Sequence, residues 1–254
     1  MKMWIYRKIK HLFFAQKIKN VINYLKDSYI KREKIDKQYS ALVLSPHQDD
    51  EVFGCGGTIK LISDAKGLVD VVYITSGQMG VKAGSITNDQ NKEDLIKRRN
   101  EEAQKACKIL GIRKIYNLNG TDTELHHEMH LYKNLTAILA KNNYDIIFCP
   151  WKYDQHPDHI STFNLLRKVL VKYPIKSEIW LYEVWTPVAA NKVIDISTTI
   201  THKLEAAKMY VSQNECIDYY QKFSALAKYR SIHIPPAEFA EAFLCGDRKF
   251  ILSL

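Results

Sequence analysis

Short apolar runs alternate with amphipathic stretches along most of the chain. "ALVLS" (41 to 45), "VDVVYIT" (69 to 75), "KIYNL" (114 to 118) and "DIIFCP" (145 to 150) have the length and β-branched content of buried strands. The second and fourth are almost unbroken in apolar residues, as strands covered on both faces are. Between them, helical spacing runs over 56 to 66, 92 to 110 and 127 to 142, and Gly111 closes the middle stretch. A helix over 159 to 172, strands over 178 to 185 and 193 to 196, and a helix over 199 to 211 complete the body. Strand and helix in this order predict right-handed crossovers, hence an α/β fold: a mainly parallel sheet flanked by helices. No repeat, low-complexity tract or linker divides it, so residues 38 to 254 read as one domain, long enough to bury a full core.

Residues 1 to 37 follow a different pattern. Ile5, Ile9, Leu12, Ile18, Val21, Ile22 and Leu25 recur at spacings of three and four with lysines between them, which predicts a basic amphipathic helical extension. Charge strengthens the contrast. This segment holds eleven lysines and arginines against three acids, a surplus of eight out of the chain's net +9, so the rest is close to neutral. Such a distribution argues against a catalytic domain built to grip nucleic acid. It suits peripheral contact with an anionic membrane, each basic residue near the surface contributing about 1 kcal/mol. A helix packed on its own domain with a solvated basic face is the alternative. Charge interrupts every apolar run before the roughly 20 residues of a membrane span, and no signal-peptide pattern is present. Five scattered cysteines without a CxxC pair read as reduced residues of a cytosolic protein.

The chemistry is concentrated in two places. "SPHQDDEVFGCGGTIK" puts His47, Asp49, Asp50 and Glu51 directly after the first strand; "WKYDQHPDHIS" puts Asp154, His156, Asp158 and His159 after the fourth. Carboxyl ends of parallel strands are where ligands bind, and adjacent strands would bring the two clusters to one rim. Each alone could be bland, an acidic helix start or a proline-containing loop opening a helix. Together, their crowded acids require a positive partner. A divalent metal provides it, taking imidazole nitrogen and carboxylate oxygen alike. Three protein ligands and an open position suit catalytic zinc, which lowers the pKa of water to about 7 and polarises a carbonyl. A carboxylate left unligated would then be the general base. Which residue plays which part is open at this level. The long loop 76 to 91, leaving another strand end, is a lid or substrate loop, or else plain surface.

"SPHQDDEVFGCGGTI" with "HPDH" resembles the LmbE-like/PIG-L family of zinc-dependent N-acetylglucosaminyl deacetylases, whose first motif is usually PHPDDE or AHPDDE. The likeness extends through "TSGQMG", "RNEEAQKACKILG", "KLEAAKMYVSQ" and "AEFAEAF", over about residues 40 to 250. It implies a single Rossmann-like domain and one Zn2+ held by His47, Asp50 and His159. It implies Asp49 as general base, His156 oriented by Asp158 as oxyanion stabiliser or acid, and Arg99 as substrate contact. The implied reaction removes acetyl from an N-acetylated amino sugar and releases acetate. A lipid-linked sugar would fit a membrane-bound extension, and the expected location is cytoplasmic, at the inner face of the membrane. Gln48 stands where the family usually has proline, and Gln78 where it often has glutamate. Two other readings compete: a nucleotide-binding Rossmann-type domain with "GCGGT" as its phosphate turn, and an inactive, membrane-recruited member of the fold.

Overall fold

The unbroken apolar runs become the central strands of one sheet. The computed structural model describes residues 30–79, 89–125, 128–214 and 217–254. Among them the strands are β1 (Lys31–Glu33), β2 (Ser40–Ser45), β3 (Leu68–Thr75), β4 (Lys114–Gly120), β5 (Ile146–Pro150), β6 (Glu178–Tyr182), β7 (Lys192–Asp195) and β8 (Ala240–Gly246). The helices are α1 (Asp50–Asp64), α2 (Asp89–Leu110), α3 (Met129–Lys141), α4 (Pro157–Lys172), α5 (Ile200–Lys208), α6 (Val211–Asn214), α7 (Tyr219–Arg230) and α8 (Arg248–Ser253). The eight strands lie in the order β1-β7-β8-β6-β5-β2-β3-β4, parallel except for β8, which runs antiparallel to β6 and β7.

Successive residues of a strand point to opposite faces, and both faces are covered. Ala41, Val43, Val71, Tyr73 and Phe148 pack on one side with residues of α1, α2, α5 and α7. Leu42, Leu44, Val72, Ile74 and Ile147 pack on the other with residues of α3, α4 and α8. This alternation with burial on both sides is why the strands read as continuous apolar runs.

Three expectations need adjusting. Residues 30 to 37, expected to be helical, contain an edge strand: Lys31, Arg32 and Glu33 pair in register with Lys192, Val193 and Ile194. The charges of that segment are partly spent on the sheet, Arg32 on Asp195 (3.0 Å) and Glu33 near Lys192 (3.7 Å). The remainder of the expected helix, residues 1 to 29, lies outside the described residues. Helix α1 begins at Asp50, not near 56, so the acids of the first motif form its opening turn. The strand β8 and the helices α7 and α8 were not anticipated; the charged and small residues of "AEFAEAF" and "YYQKFSALAKYR" weaken both periodicities.

"GCGGT" is not a phosphate turn. The helix is broken at Cys55 (φ −148°, ψ 17°), and the freed N–H groups of Gly57 and Thr58 donate to the buried Glu241 carboxylate at 2.9 and 2.8 Å. Lys203 completes the arrangement at 2.6 Å from Glu241 and 2.8 Å from the Phe53 carbonyl. A resident carboxylate thus holds the donors a phosphate would need. The glycines permit close approach: a Cβ on Gly54 would lie 2.2 Å from the Tyr182 ring, and one on Gly57 2.7 Å from Ile196.

Candidate active site

Strand β2 has β3 on one side and β5 on the other, with Ala41, Leu42 and Val43 paired to Ile146, Ile147 and Phe148. Chain direction therefore diverges at β2, and the loops after β2 and β5 open a crevice between them. The two motifs meet there. Pro157 sits in the first turn of α4, where its missing N–H costs nothing, and His156 caps that turn by accepting the Asp158 N–H on Nδ1 at 3.2 Å.

His47, His156 and His159 each turn a ring nitrogen inward, and these atoms lie within 4.8 Å of one another. Asp50 is threaded between two of them: its Oδ2 is 3.2 Å from His47 Nδ1 and 3.2 Å from His159 Nε2, and also accepts the His47 N–H at 2.9 Å. His159 is fully buried, and its ring faces Asp50 and, at 3.4 Å, Asp154, yet neither nitrogen makes a hydrogen bond of acceptable geometry. Inward-facing nitrogens and a shared carboxylate, with buried imidazole atoms left unbonded, form a donor set that fits a divalent cation. His47, Asp50 and His159 could hold one, and His156 is close enough to be a further donor.

The electrostatics say the same. Burial pulls the His47 pKa down, but its bonds to Asp158 and Asp50 outweigh that and push it up to about 10. Burial likewise lowers His159, while Asp50 and Asp154 raise it to about 9. Burial raises Asp50, but the two imidazoles hold it well below the usual carboxylate range. Protons on His47 and His159 thus offset the charge of the acids, and a divalent ion bound there would have to displace them. Burial and then Asp50 push Asp49 up to about 8, against the pull of Arg99 and His47. His156 moves the other way, lowered by burial and then by His47 and His159. A neutral ring whose Nδ1 accepts the Asp158 N–H carries its proton on Nε2, leaving that side a donor.

Asp49 is the strained residue of the site, with φ at +140°. Its N–H donates to Glu51 Oε2 at 3.1 Å, and its carboxylate lies 3.5 Å from the Arg99 guanidinium. Arg99 also donates to the carbonyls of Gln48 (2.9 Å) and Gly77 (3.2 Å), so it ties the loops after β2 and β3 together beside the cavity. Gln48, buried, donates to the Ser76 carbonyl and to Asn100, both at 3.3 Å. The amide in place of the family's proline is thus a tie between the same two loops. The Asp158 carboxylate differs from expectation. It is 3.0 Å from His47 Nε2 but 4.0 Å from His156 Nδ1, and the Thr123 N–H holds it at 2.9 Å. His156 is oriented by the Asp158 backbone instead, because the helix cap occupies its Nδ1.

Glu51 is buried beneath this surface. It accepts from Tyr73 (3.0 Å), from Tyr210, from Ser45 (3.2 Å) and from the Asp49 N–H. Burial raises its pKa, opposed by those bonds. Glu51→Ala would leave the Asp49 N–H unpaired and take the carboxylate from two tyrosine hydroxyls, which keep only each other (3.5 Å) and Cys107 (3.3 Å), at about 1–3 kcal/mol for each bond to the carboxylate lost. Urea unfolding should therefore show a loss of about 3 kcal/mol or more; a loss below about 1 kcal/mol would contradict the network. Sequence spacing could not pair Glu51 with Tyr210, nor find Asp122, which takes the Gly77 and Met79 N–H groups (3.1 and 2.9 Å) at the cavity edge. Its place after β4, another strand end, is the only signal it carried.

Fold and donor set together define an α/β protein with a metal-capable His/Asp site at the switch point of its sheet. The chain belongs to the PIG-L (GlcNAc-PI de-N-acetylase) family, whose model matches residues 42–170. It is 37% identical over 123 residues to the diacetylchitobiose deacetylase of Thermococcus kodakarensis, a match covering 46% of this chain and 44% of that protein, less than half its length. It is 29% identical over 187 residues, 69% of this chain and 84% of the other, to a Bacillus cereus protein named as a probable N-acetyl-alpha-D-glucosaminyl L-malate deacetylase 2. The structure of N,N'-diacetylchitobiose deacetylase from Pyrococcus horikoshii, complexed with its inhibitor MPG, superposes with a TM-score of 0.73 at 29% identity, covering 84% of this chain and 85% of that one.

Proposed function

We propose that this protein is a divalent-metal-dependent N-deacetylase, with zinc as the resident ion, that hydrolyses the acetamide of an N-acetylated amino sugar to acetate and a free amine. The observation that carries the proposal is the meeting of Asp49, His47, Asp50 and His156 around one cavity, with His159 buried directly behind Asp50. In this reading His47, Asp50 and His159 hold the ion, which when bound acts as a Lewis acid toward water and the acetyl carbonyl. Asp49 accepts a proton from the attacking water, whose oxygen bonds to the carbonyl carbon. His156 donates from Nε2 to the oxyanion that develops there. As the C–N bond breaks, the amine leaves with a proton, and Asp49 carries the one taken from water. Arg99, beside Asp49 and lining the cavity, is the substrate contact. The test is metal analysis of the purified protein with an acetate-release assay on N-acetylglucosamine conjugates; absence of both stoichiometric metal and activity restored by added zinc or cobalt would overturn it.

We extend the proposal to a lipid-linked amino sugar met at the cytoplasmic face of a membrane. The surplus of eight positive charges in residues 1 to 37 supports it. Charge interrupts every apolar run of that segment before the roughly 20 residues of a membrane span, so in this reading the contact is peripheral. The full chain should co-sediment with vesicles containing phosphatidylserine but not with phosphatidylcholine alone, and salt should release it. Equal partition onto both would remove the argument for a lipid-linked substrate.

A further inference from the structure

The cavity is too small for the substrates it would serve. It measures about 130 Å3, less than the roughly 150 Å3 apolar cavity that holds a single benzene. In the proposed reading it takes the acetamide and the edge of its own pyranose. Whatever that sugar is joined to must lie outside, over the mouth.

What waits at the mouth is an aromatic wall. Trp185 is 47% exposed and lines the cavity on the side of His156, the two rings nearly parallel (27°) with centroids 6.5 Å apart. Tyr219 meets Trp185 edge-on at 6.3 Å and is itself stacked on the buried Phe53 at 4.9 Å. The Trp185 backbone is held as well: its N–H donates to Asp154 Oδ2 at 3.1 Å, the oxygen that faces His159. A half-exposed indole fixed by the same carboxylate that faces the histidine cluster is a positioned surface, not a stray apolar residue.

We propose that Trp185, braced by Tyr219, is the platform of a second-ring subsite, taking a pyranose or similarly flat saccharide unit linked to the N-acetylated sugar. Gluco-configured rings carry their hydroxyls equatorially and expose axial C–H groups above and below, an apolar face that lies flat on an indole. The substrate class is therefore an N-acetylated glycoside of two or more rings. This inference rests on the reading of the cavity as the acetamide site.

The experiment separates the two. Calorimetry on the metal-loaded enzyme would compare glucosamine with chitobiose, which has no acetyl group to lose, and acetate release would compare methyl N-acetyl-β-glucosaminide with N,N'-diacetylchitobiose. Chitobiose should bind on the order of tenfold tighter than glucosamine, the size of one good aromatic contact. Trp185→Ala should remove most of that difference and lower kcat/KM for the two-ring substrate several-fold more than for the one-ring substrate; Trp185→Tyr should restore part of it. Equal one-ring and two-ring binding in the wild type, or a preference unchanged in Trp185→Ala, would overturn the subsite even if acetate is released. Absence of acetate release with the binding preference intact would overturn the deacetylase reading and leave the subsite standing. Trp185→Tyr also guards against an alanine variant that fails to fold.

Discussion

Asp49→Asn is expected to lower turnover by about 10²–10⁴-fold, the range a positioned general base contributes, while metal content stays at the wild-type level. Asparagine matches aspartate in shape and can keep the N–H bond to Glu51 that holds the +140° backbone, so geometry is spared. What is lost is the acceptor for the water's proton. KM should move far less than kcat, because the group acts on the reacting water and not on the sugar. Metal loss equal to that of a ligand variant would remove Asp49 from the role proposed for it and make it a ligand.

The second large effect concerns the ion itself. His159→Ala should abolish stoichiometric metal and with it activity, by more than the roughly 10–100-fold that losing an outer hydrogen bond to a ligand costs. The side chain is fully buried between Asp50 and Asp154, so alanine leaves two carboxylates facing a void. His156→Ala is the discriminating companion. Its inward nitrogen belongs to the same 4.8 Å cluster, but its Nδ1 is committed to the helix cap and its ring is about a third exposed. We expect it to keep metal and lose turnover. Metal loss in His156→Ala with metal retained in Asp50→Asn would exchange those two residues in the proposed ligand set.

Much of this site could be read from the chain in order. His47, Asp49, Asp50, His156, Asp158, His159 and Arg99 were all singled out from the sequence; the structure lines one cavity with six of them and buries His159 behind Asp50, 3.2 Å away. Each motif is a run of chemistry-bearing residues placed just after an apolar strand, and strand ends are legible because burial writes itself as local hydrophobicity. The orientation of His156 was not legible, because it depends on whether a ring nitrogen caps a helix or faces a carboxylate across 4.0 Å. Gln48 is similar. Nothing in "SPHQDDE" says that its amide would reach Ser76 in the loop after β3 and Asn100 on α2, since these come beside Gln48 only when β2 and β3 pair.

The same division runs through the whole molecule. Periodicity along the chain was enough to place strands at 41 to 45, 69 to 75 and 145 to 150, within one residue of those observed, together with the long helices and the α/β class, because each of those features is a repeat of a few residues and needs no distant partner. The edge strand Lys31–Glu33, the Glu241 carboxylate on the glycines of α1, the Tyr210 hydroxyl on Glu51 and the Trp185 wall were decided only by tertiary structure. Each is a contact between residues far apart in sequence. Its energy comes from satisfying a buried polar group or filling a crevice that does not exist until the sheet has formed.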